Sequence, residues 1–509
     1  MDVNVLESFA PEVFLSLSVL IQLLFNARLV NNPHQNFPLI DKEIFSQTAF
    51  ILLGVFILFS NLKIEGFLFN FLFLNDEGSR IIKLFFSFTC FLVLTLILRG
   101  FNLQKLNFFE FFSVFLLAVL SLLLLISSYN LLSAYLVIEM QALCFYILAS
   151  FKRNSSFSTE AGLKYFIAGS FISGILLFGC SFIYGGLGTL NFTEIQLLLT
   201  SSLSGQYDIL NYFVLIGFLF LMITFLFKMS AVPFHFWSPD VYEGSPISTT
   251  VIFSILPKIV IFCFFVRWLL IISDCFYYIN YLFILVGILS ILVGAFFALK
   301  QKRVKRLLIY SSIAQIGFPV AALSVQSIDG LSSIFFFFFI YIITSVLIWS
   351  HVILFYDFQK KIQSFYNFLL SPLFLAHFSN LFKTSTLWSF SFLIIFFSMA
   401  GVPPLSGFLS KIFILFGLVQ SNEILGSLFL ILIAAISVFY YLRFLKVVFF
   451  ESKLMSSSTI QIQTIFVTPF FGLDCFILVS CLFLLILIFF YPTFLLLLCQ
   501  YFILNFFNF

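Results

Sequence analysis

Four lysines stand inside or at the end of strongly apolar runs, and three of them lie beside helix-breaking residues. Lys228 closes LNYFVLIGFLFLMITFLFK and is followed by Pro233 and His235 in MSAVPFHFW. Lys258 comes directly after Pro257 in SILPKIVIF, and Lys411 follows Pro403, Pro404 and Gly407 in AGVPPLSGFLSK. Lys164 lies in STEAGLKYF, and Glu139, in SAYLVIEMQALCFY, is the matching acid. Burial favours a neutral amine and a nearby carboxylate favours the charged form, so a lysine between these influences can load and release a proton. A charge at the bilayer centre costs about 2.5–3.5 kcal/mol on insertion scales, and the residues that bear this cost line ion or proton pathways. Blander readings exist. Lys164 is close enough to a helix start to snorkel to the interface, and the prolines can simply kink packed helices.

Other chemistries find little support. The eight cysteines (90, 144, 180, 263, 275, 475, 481 and 499) contain no Cys-x-x-Cys pair and mostly sit in apolar runs, where a thiol acts as a small hydrophobe. No metal site is therefore expected. No Gly-x-Gly-x-x-Gly or Walker-type loop follows a strand-like run, so no nucleotide or flavin site is expected either. His34, His351 and His377 read as ordinary polar residues at helix ends.

The elements that position these residues must cross a membrane. Of the 509 residues 62% are hydrophobic and 9% charged, against about 25% charged in soluble domains. A span takes about 20 apolar residues, and such runs lie near 10–27, 45–62, 82–99, 108–127, 130–150, 162–185, 210–229, 246–268, 277–299, 306–325, 331–355, 386–420, 424–449 and 468–491. This predicts an all-α polytopic membrane protein of about fourteen transmembrane helices. The first run starts near Pro11 behind Asp2 and Glu7 without a basic leader, and reads as a retained helix rather than a signal peptide. Residues 364–381 are apolar but short and broken by Pro372, which suggests an interfacial segment. Loops after odd-numbered spans hold seventeen basic residues, and loops after even-numbered spans hold four: Lys63, Arg80, Lys83 and Arg267. The odd loops should face the matrix or cytoplasm, and both termini the opposite side.

The breaks at Pro233 and at Pro403–Pro404 interrupt the seventh and twelfth spans, five helices apart. A five-helix unit repeated once returns inverted, and paired interrupted helices point to a transporter site. The expected organisation is an N-terminal set of three helices at 1–107, a first five-helix half at 108–268, an inverted second half at 277–449, and a C-terminal helix and tail at 450–509.

Four motifs occur in order: STEAGLKYFIAGSFISGILLFGCSFIYGGLGTLNF, FKMSAVPFHFWSPDVYEGSPISTTVIFSILPKI, VKRLLIYSSIAQIGF and MAGVPPLSGFLSK. Together they closely resemble the subunit 2 family of antiporter-like membrane subunits in proton-pumping NADH:ubiquinone oxidoreductase, respiratory complex I, over roughly residues 105–455. The resemblance implies a subunit of an H+-translocating NADH:ubiquinone reductase that carries no redox centre itself. NADH, FMN, iron–sulfur clusters and ubiquinone would be bound by partner subunits. The implied partners are other membrane-arm subunits, neighbouring antiporter-like subunits among them, accessory subunits and membrane lipids, with no nucleic acid. The implied place is the mitochondrial inner membrane, with both termini on the intermembrane-space side. Residue by residue, Glu139 and Lys164 resemble the family's acid–lysine pair, Lys228 its central lysine, His235 the histidine that follows, Lys258 the connecting lysine, and Lys411 the lysine near the exit. One position departs: Gln315 stands where many relatives carry histidine, and glutamine cannot exchange a proton near neutral pH. A subunit of a multisubunit Na+/H+ antiporter, the plastid relative of the same subunit, and a purely anchoring scaffold are the competing readings.

Overall fold

Long apolar runs can satisfy their backbone in lipid only by bonding internally, and helices do this within one segment. The computed structural model describes residues 7–30, 37–62, 66–104, 110–202, 208–272, 279–364, 373–379, 381–451 and 473–507, and they are overwhelmingly helical. The chain divides into two compact units, residues 1–279 with 501–509, and residues 280–500.

In the first unit come α1 (Ala10–Val30), α2 (Phe37–Asn61), α3 (Glu77–Gln104), α4 (Glu110–Ser127), α5 (Leu131–Ala149), α6 (Ser156–Leu187), α7 (Phe192–Ser202), α8 (Asp208–Lys228), α9 (Trp237–Gly244) and α10 (Ile247–Ile272). A hairpin of β1 (Gly66–Leu68) and β2 (Phe73–Asn75), absent from the all-helical expectation, joins α2 to α3. The next elements are α11 (Ile279–Lys300), α12 (Val304–Ala322), α13 (Ile328–Ser364), a 3-10 turn at Leu375–Phe378, α14 (Leu381–Thr384), α15 (Thr386–Ala400), α16 (Ser406–Gln420), α17 (Ile424–Phe449), α18 (Leu473–Phe490) and α19 (Pro492–Phe507).

Ten of the described helices are long and apolar enough to cross a membrane, or eleven with the bent pair α18 and α19 taken as one span. The other three of the fourteen predicted runs are helical as well. They are α8, which runs 21 residues to its break, the pair α15 and α16, 15 residues each and divided by their break, and α12, which opens on Lys305 and Arg306. Burial grades from α10, whose spanning stretch is wholly inside the protein, to α1 and α2, which turn about two thirds of theirs outward.

Two residues assigned to loops are inside instead. Lys83 lies on α3, 1% exposed, with its ammonium 2.6 Å from the buried Glu12 carboxylate on α1 and 2.8 Å from the Asn75 amide oxygen. Arg267 lies on α10, where both Asp76 carboxylate oxygens accept from it at 2.9 and 3.0 Å and the Ile126 carbonyl accepts at 3.0 Å. Taking two charges out of water is repaid only when their hydrogen bonds are also satisfied. The Arg267 pair meets that condition, with Nη2 on both carboxylate oxygens and Nη1 on the Ile126 carbonyl. Removing Lys83 and Arg267 from the even-numbered loops leaves Arg80, in the first turn of α3, and Lys63, which is outside the described residues.

Of the segment expected at the interface, residues 365–372 and 380 lie outside the described residues. Its described turn packs inward: Phe378 is fully buried, its ring stacked 3.8 Å from that of Phe355 on α13. His377 sits in that turn, and His34 is outside the described residues. His351 is not at a helix end: it is buried in the middle of α13, hydrogen-bonded to the Leu347 carbonyl and the Ser391 hydroxyl.

Candidate functional site

In the first unit the chemistry gathers where α8 stops. α8 ends at Lys228, and Ser230 enters the left-handed region at φ 60. The Ala231 N–H then donates to the Leu226 carbonyl and the Ser230 N–H to the Phe227 carbonyl, both at 2.9 Å, a Schellman-type close. The Trp237 indole adds a second donor to Phe227 at 3.0 Å. Lys228 therefore sits in the last turn, where the negative end of the helix dipole favours a cation. His235 follows, 5% exposed, with its ring on Phe236 and its Nδ1 buried without a hydrogen-bond partner. Lys258 is 3% exposed on α10, directly after Pro257.

Glu139 is half-buried on α5, and one carboxylate oxygen is enclosed with no hydrogen-bond partner. Lys164 has other partners. Its ammonium is 2.8 Å from Glu160, one turn earlier on α6, and 3.2 Å from Asp240 on α9, and its side chain is 47% exposed. The structure thus places Lys164 in an exposed triad with Glu160 and Asp240. Neither acid was singled out from the sequence: the spacing of four offered a signal for Glu160, and Asp240, 76 residues away, left none.

In the second unit the break lies between α15 and α16. α15 closes at Gly401, φ 83, with the Val402 N–H on the Phe397 carbonyl at 3.0 Å. The carbonyls of Met399 and Ala400 are left to other donors, and Lys411 supplies them. Its ammonium donates to both, at 2.7 and 3.0 Å, and lies 5.1 Å from the centre of the Phe318 ring. Lys411 is 7% exposed. An ammonium thus caps the carboxyl end of a half-helix at membrane depth, where both the helix dipole and the aromatic face favour it. Gln315 reaches the same place from α12, its amide nitrogen 2.9 Å from the Met399 carbonyl and 3.3 Å from the Tyr441 hydroxyl.

Among the described residues no group of three or more His, Cys, Asp or Glu side chains is arranged to hold a metal ion. What the arrangement offers is a set of amines inside a membrane protein, two of them at the carboxyl ends of interrupted helices.

Many apolar spans, with lysines at two broken helices, define a polytopic membrane subunit of the antiporter-like class. The family described as NADH:quinone oxidoreductase/Mrp antiporter, transmembrane, matches residues 128–440, and the chain belongs to it. It is 36% identical over 451 residues to NADH-ubiquinone oxidoreductase chain 2 of Marchantia polymorpha, covering 87% of this chain and 88% of that one. Its fold resembles a chain of respiratory complex I from Thermus thermophilus, with a TM-score of 0.72, 22% identity, and coverage of 96% and 98% of the two chains. It also resembles a chain of the Mrp complex from Dietzia, with a TM-score of 0.78, 17% identity, and coverage of 99% and 98%.

Proposed function

We propose that this chain is a proton-translocating membrane-arm subunit of respiratory complex I in the mitochondrial inner membrane, driven by NADH-to-ubiquinone electron transfer in other subunits. The observation that carries the reading is Lys411, whose buried ammonium is held by two carbonyls at the end of a broken helix. Identity over nearly the whole length of a plant mitochondrial chain 2 supports the choice of complex.

In this reading Lys228, Lys258 and Lys411 hold the moving protons. Glu139 is the acid whose charge tunes the neighbouring amines, since a carboxylate nearby favours ammonium and its removal favours the neutral amine. Lys164 takes part through Asp240 and Glu160, and His235, next to the break, passes protons to or from Lys228. Each translocated charge works against about 2.3 kcal/mol per 100 mV. The excess of basic residues in the odd-numbered loops supports termini on the intermembrane-space side. Two interrupted helices with a lysine at each support reading residues 108–268 and 277–449 as inverted repeats. NADH, FMN, iron–sulfur clusters and ubiquinone belong to partner subunits.

Lys228→Met tests the reading, because methionine keeps much of the apolar stem and removes the amine. The assembled complex should lose most of its NADH-driven proton translocation, with quinone reduction falling alongside it. Lys228→Arg should also fail in part, since guanidinium does not release its proton. Exposed Lys152 supplies the control as Lys152→Met. A fully assembled Lys228→Met complex that pumps at the normal ratio of protons to electrons sinks the assignment. A second reading, a subunit of a Na+/H+ antiporter, is favoured by the fold match to the Mrp chain. Co-purification with quinone-reducing and iron–sulfur subunits decides between the two.

A further inference from the structure

Pro257 takes one backbone donor out of the middle of α10, and Tyr242 occupies the place it leaves. Proline has no N–H, and its ring crowds the carbonyl four residues earlier, which is the one its N–H would have bonded. For Pro257 that carbonyl belongs to Phe253. The Phe253 oxygen accepts from the Tyr242 hydroxyl at 3.1 Å, and Tyr242 and Phe253 are 4% and 2% exposed. A carbonyl freed at membrane depth needs such a replacement.

The donor comes from a telling place. Tyr242 lies on α9, the short helix that follows the break after Lys228. Its ring packs against Trp237 and Phe253. Trp237, on the same helix, donates to the Phe227 carbonyl in the last turn of α8. Two hydrogen bonds therefore leave α9, one to the end of the Lys228 helix and one to the proline turn of the helix that carries Lys258. That turn precedes Lys258 directly, so its local geometry sets where the Lys258 amine stands relative to the first half of α10.

We propose that Tyr242 is a positioning residue: by bonding the carbonyl that Pro257 orphans, it fixes the proline turn of α10 and ties the place of Lys258 to the broken helix. The proposal rests on the proton-carrying role given to Lys258 above. A movement of α9 at the break is passed to Lys258 through one hydroxyl, without any change in the charge of Tyr242. If Tyr242 were only a packed aromatic, removing the hydroxyl while keeping the ring would change little.

The test uses the assembled complex carrying Tyr242→Phe, Pro257→Ala, both together, or Lys258→Met. Tyr242→Phe should assemble in normal amounts, lower coupled NADH:ubiquinone turnover about three- to tenfold, as expected for one hydrogen bond, and lower the ratio of protons to electrons. In Pro257→Ala the restored N–H bonds Phe253, so adding Tyr242→Phe should change turnover by less than about twofold. Equal losses in both backgrounds would show that the hydroxyl acts other than through the carbonyl orphaned by Pro257 and overturn the proposal. So would normal turnover and a normal ratio in Tyr242→Phe alone, a result that stands even if Pro257→Ala does not assemble. A Lys258→Met complex that pumps normally overturns the role of Lys258 itself. An inactive Lys258→Met beside a normal Tyr242→Phe overturns only the positioning role.

Discussion

Gln315 and Lys411 donate to one acceptor, the Met399 carbonyl oxygen, at 2.9 and 2.7 Å. A carbonyl has two lone pairs and can hold both donors. The glutamine therefore does not need to titrate to matter. It shares the anchor that fixes the ammonium, so the absence of a histidine at this position leaves the Lys411 site with its donor intact.

Gln315→Leu should assemble and lower coupled turnover about three- to tenfold, the effect of losing a buried hydrogen bond. Gln315→His keeps an N–H donor of similar reach and should be tolerated. Turnover of the purified complex reads both. The opposite ranking would mean that the volume at position 315 matters and the Met399 bond does not.

The first helices give a second prediction, which replaces an expectation drawn from sequence. A lysine in a loop would be a neutral control, but Lys83 is sealed against Glu12. Lys83→Met should leave a buried carboxylate without its partner and destabilise the chain by about 3–5 kcal/mol, seen as a loss of assembled complex on native gels. Glu12→Gln with Lys83→Met should recover much of it. Equal amounts of complex in the single variant and the unaltered protein would contradict the buried pair.

These residues show how far the sequence reaches. Lys228 and Lys411 were legible because prolines and a glycine stand a few residues away, so each break could be read along the chain. The end of α8 falls at Lys228 as that spacing requires. Lys83 was misread because it lies at the edge of its apolar run and its partner Glu12 is 71 residues distant. Arg267 was misread for the same reason, with Asp76 191 residues away. Ion pairs closed across such separations leave no periodic trace. The hairpin between α2 and α3 was hidden in GFLFNFLFLN, an apolar stretch too short for a span, which turns through three residues at positive φ, Phe69, Asn70 and Phe71.

Topology gives a third prediction. Lys302 lies exposed between α11 and α12, in the stretch with the densest basic charge. A cysteine placed there as Lys302→Cys should react with an impermeant maleimide only from the matrix side of sealed inner-membrane vesicles. Labelling from the intermembrane space would reverse the orientation given to every helix.

The last prediction concerns Gly401, where backbone and site constrain the same atom. At φ 83 a side chain is strained whatever space is available, by about 1–3 kcal/mol. Space is also short: a Cβ at this position would lie 3.0 Å from Cδ of Lys411 and 3.3 Å from its Nζ. Gly401→Ala should therefore do two things at once. It should loosen the close of α15, whose Gly401 N–H bonds the Phe397 and Ser398 carbonyls at 3.0 and 3.1 Å. It should also push the ammonium off the Met399 and Ala400 carbonyls. Lys411→Met removes the ammonium and leaves the turn alone, so the pair separates the two effects. If the ammonium is what matters, both variants should lose proton translocation by a similar factor, and Gly401→Ala alone should lower the thermal stability of the complex. Normal pumping in Gly401→Ala with a lowered melting temperature would show that Lys411 can work without its two carbonyls.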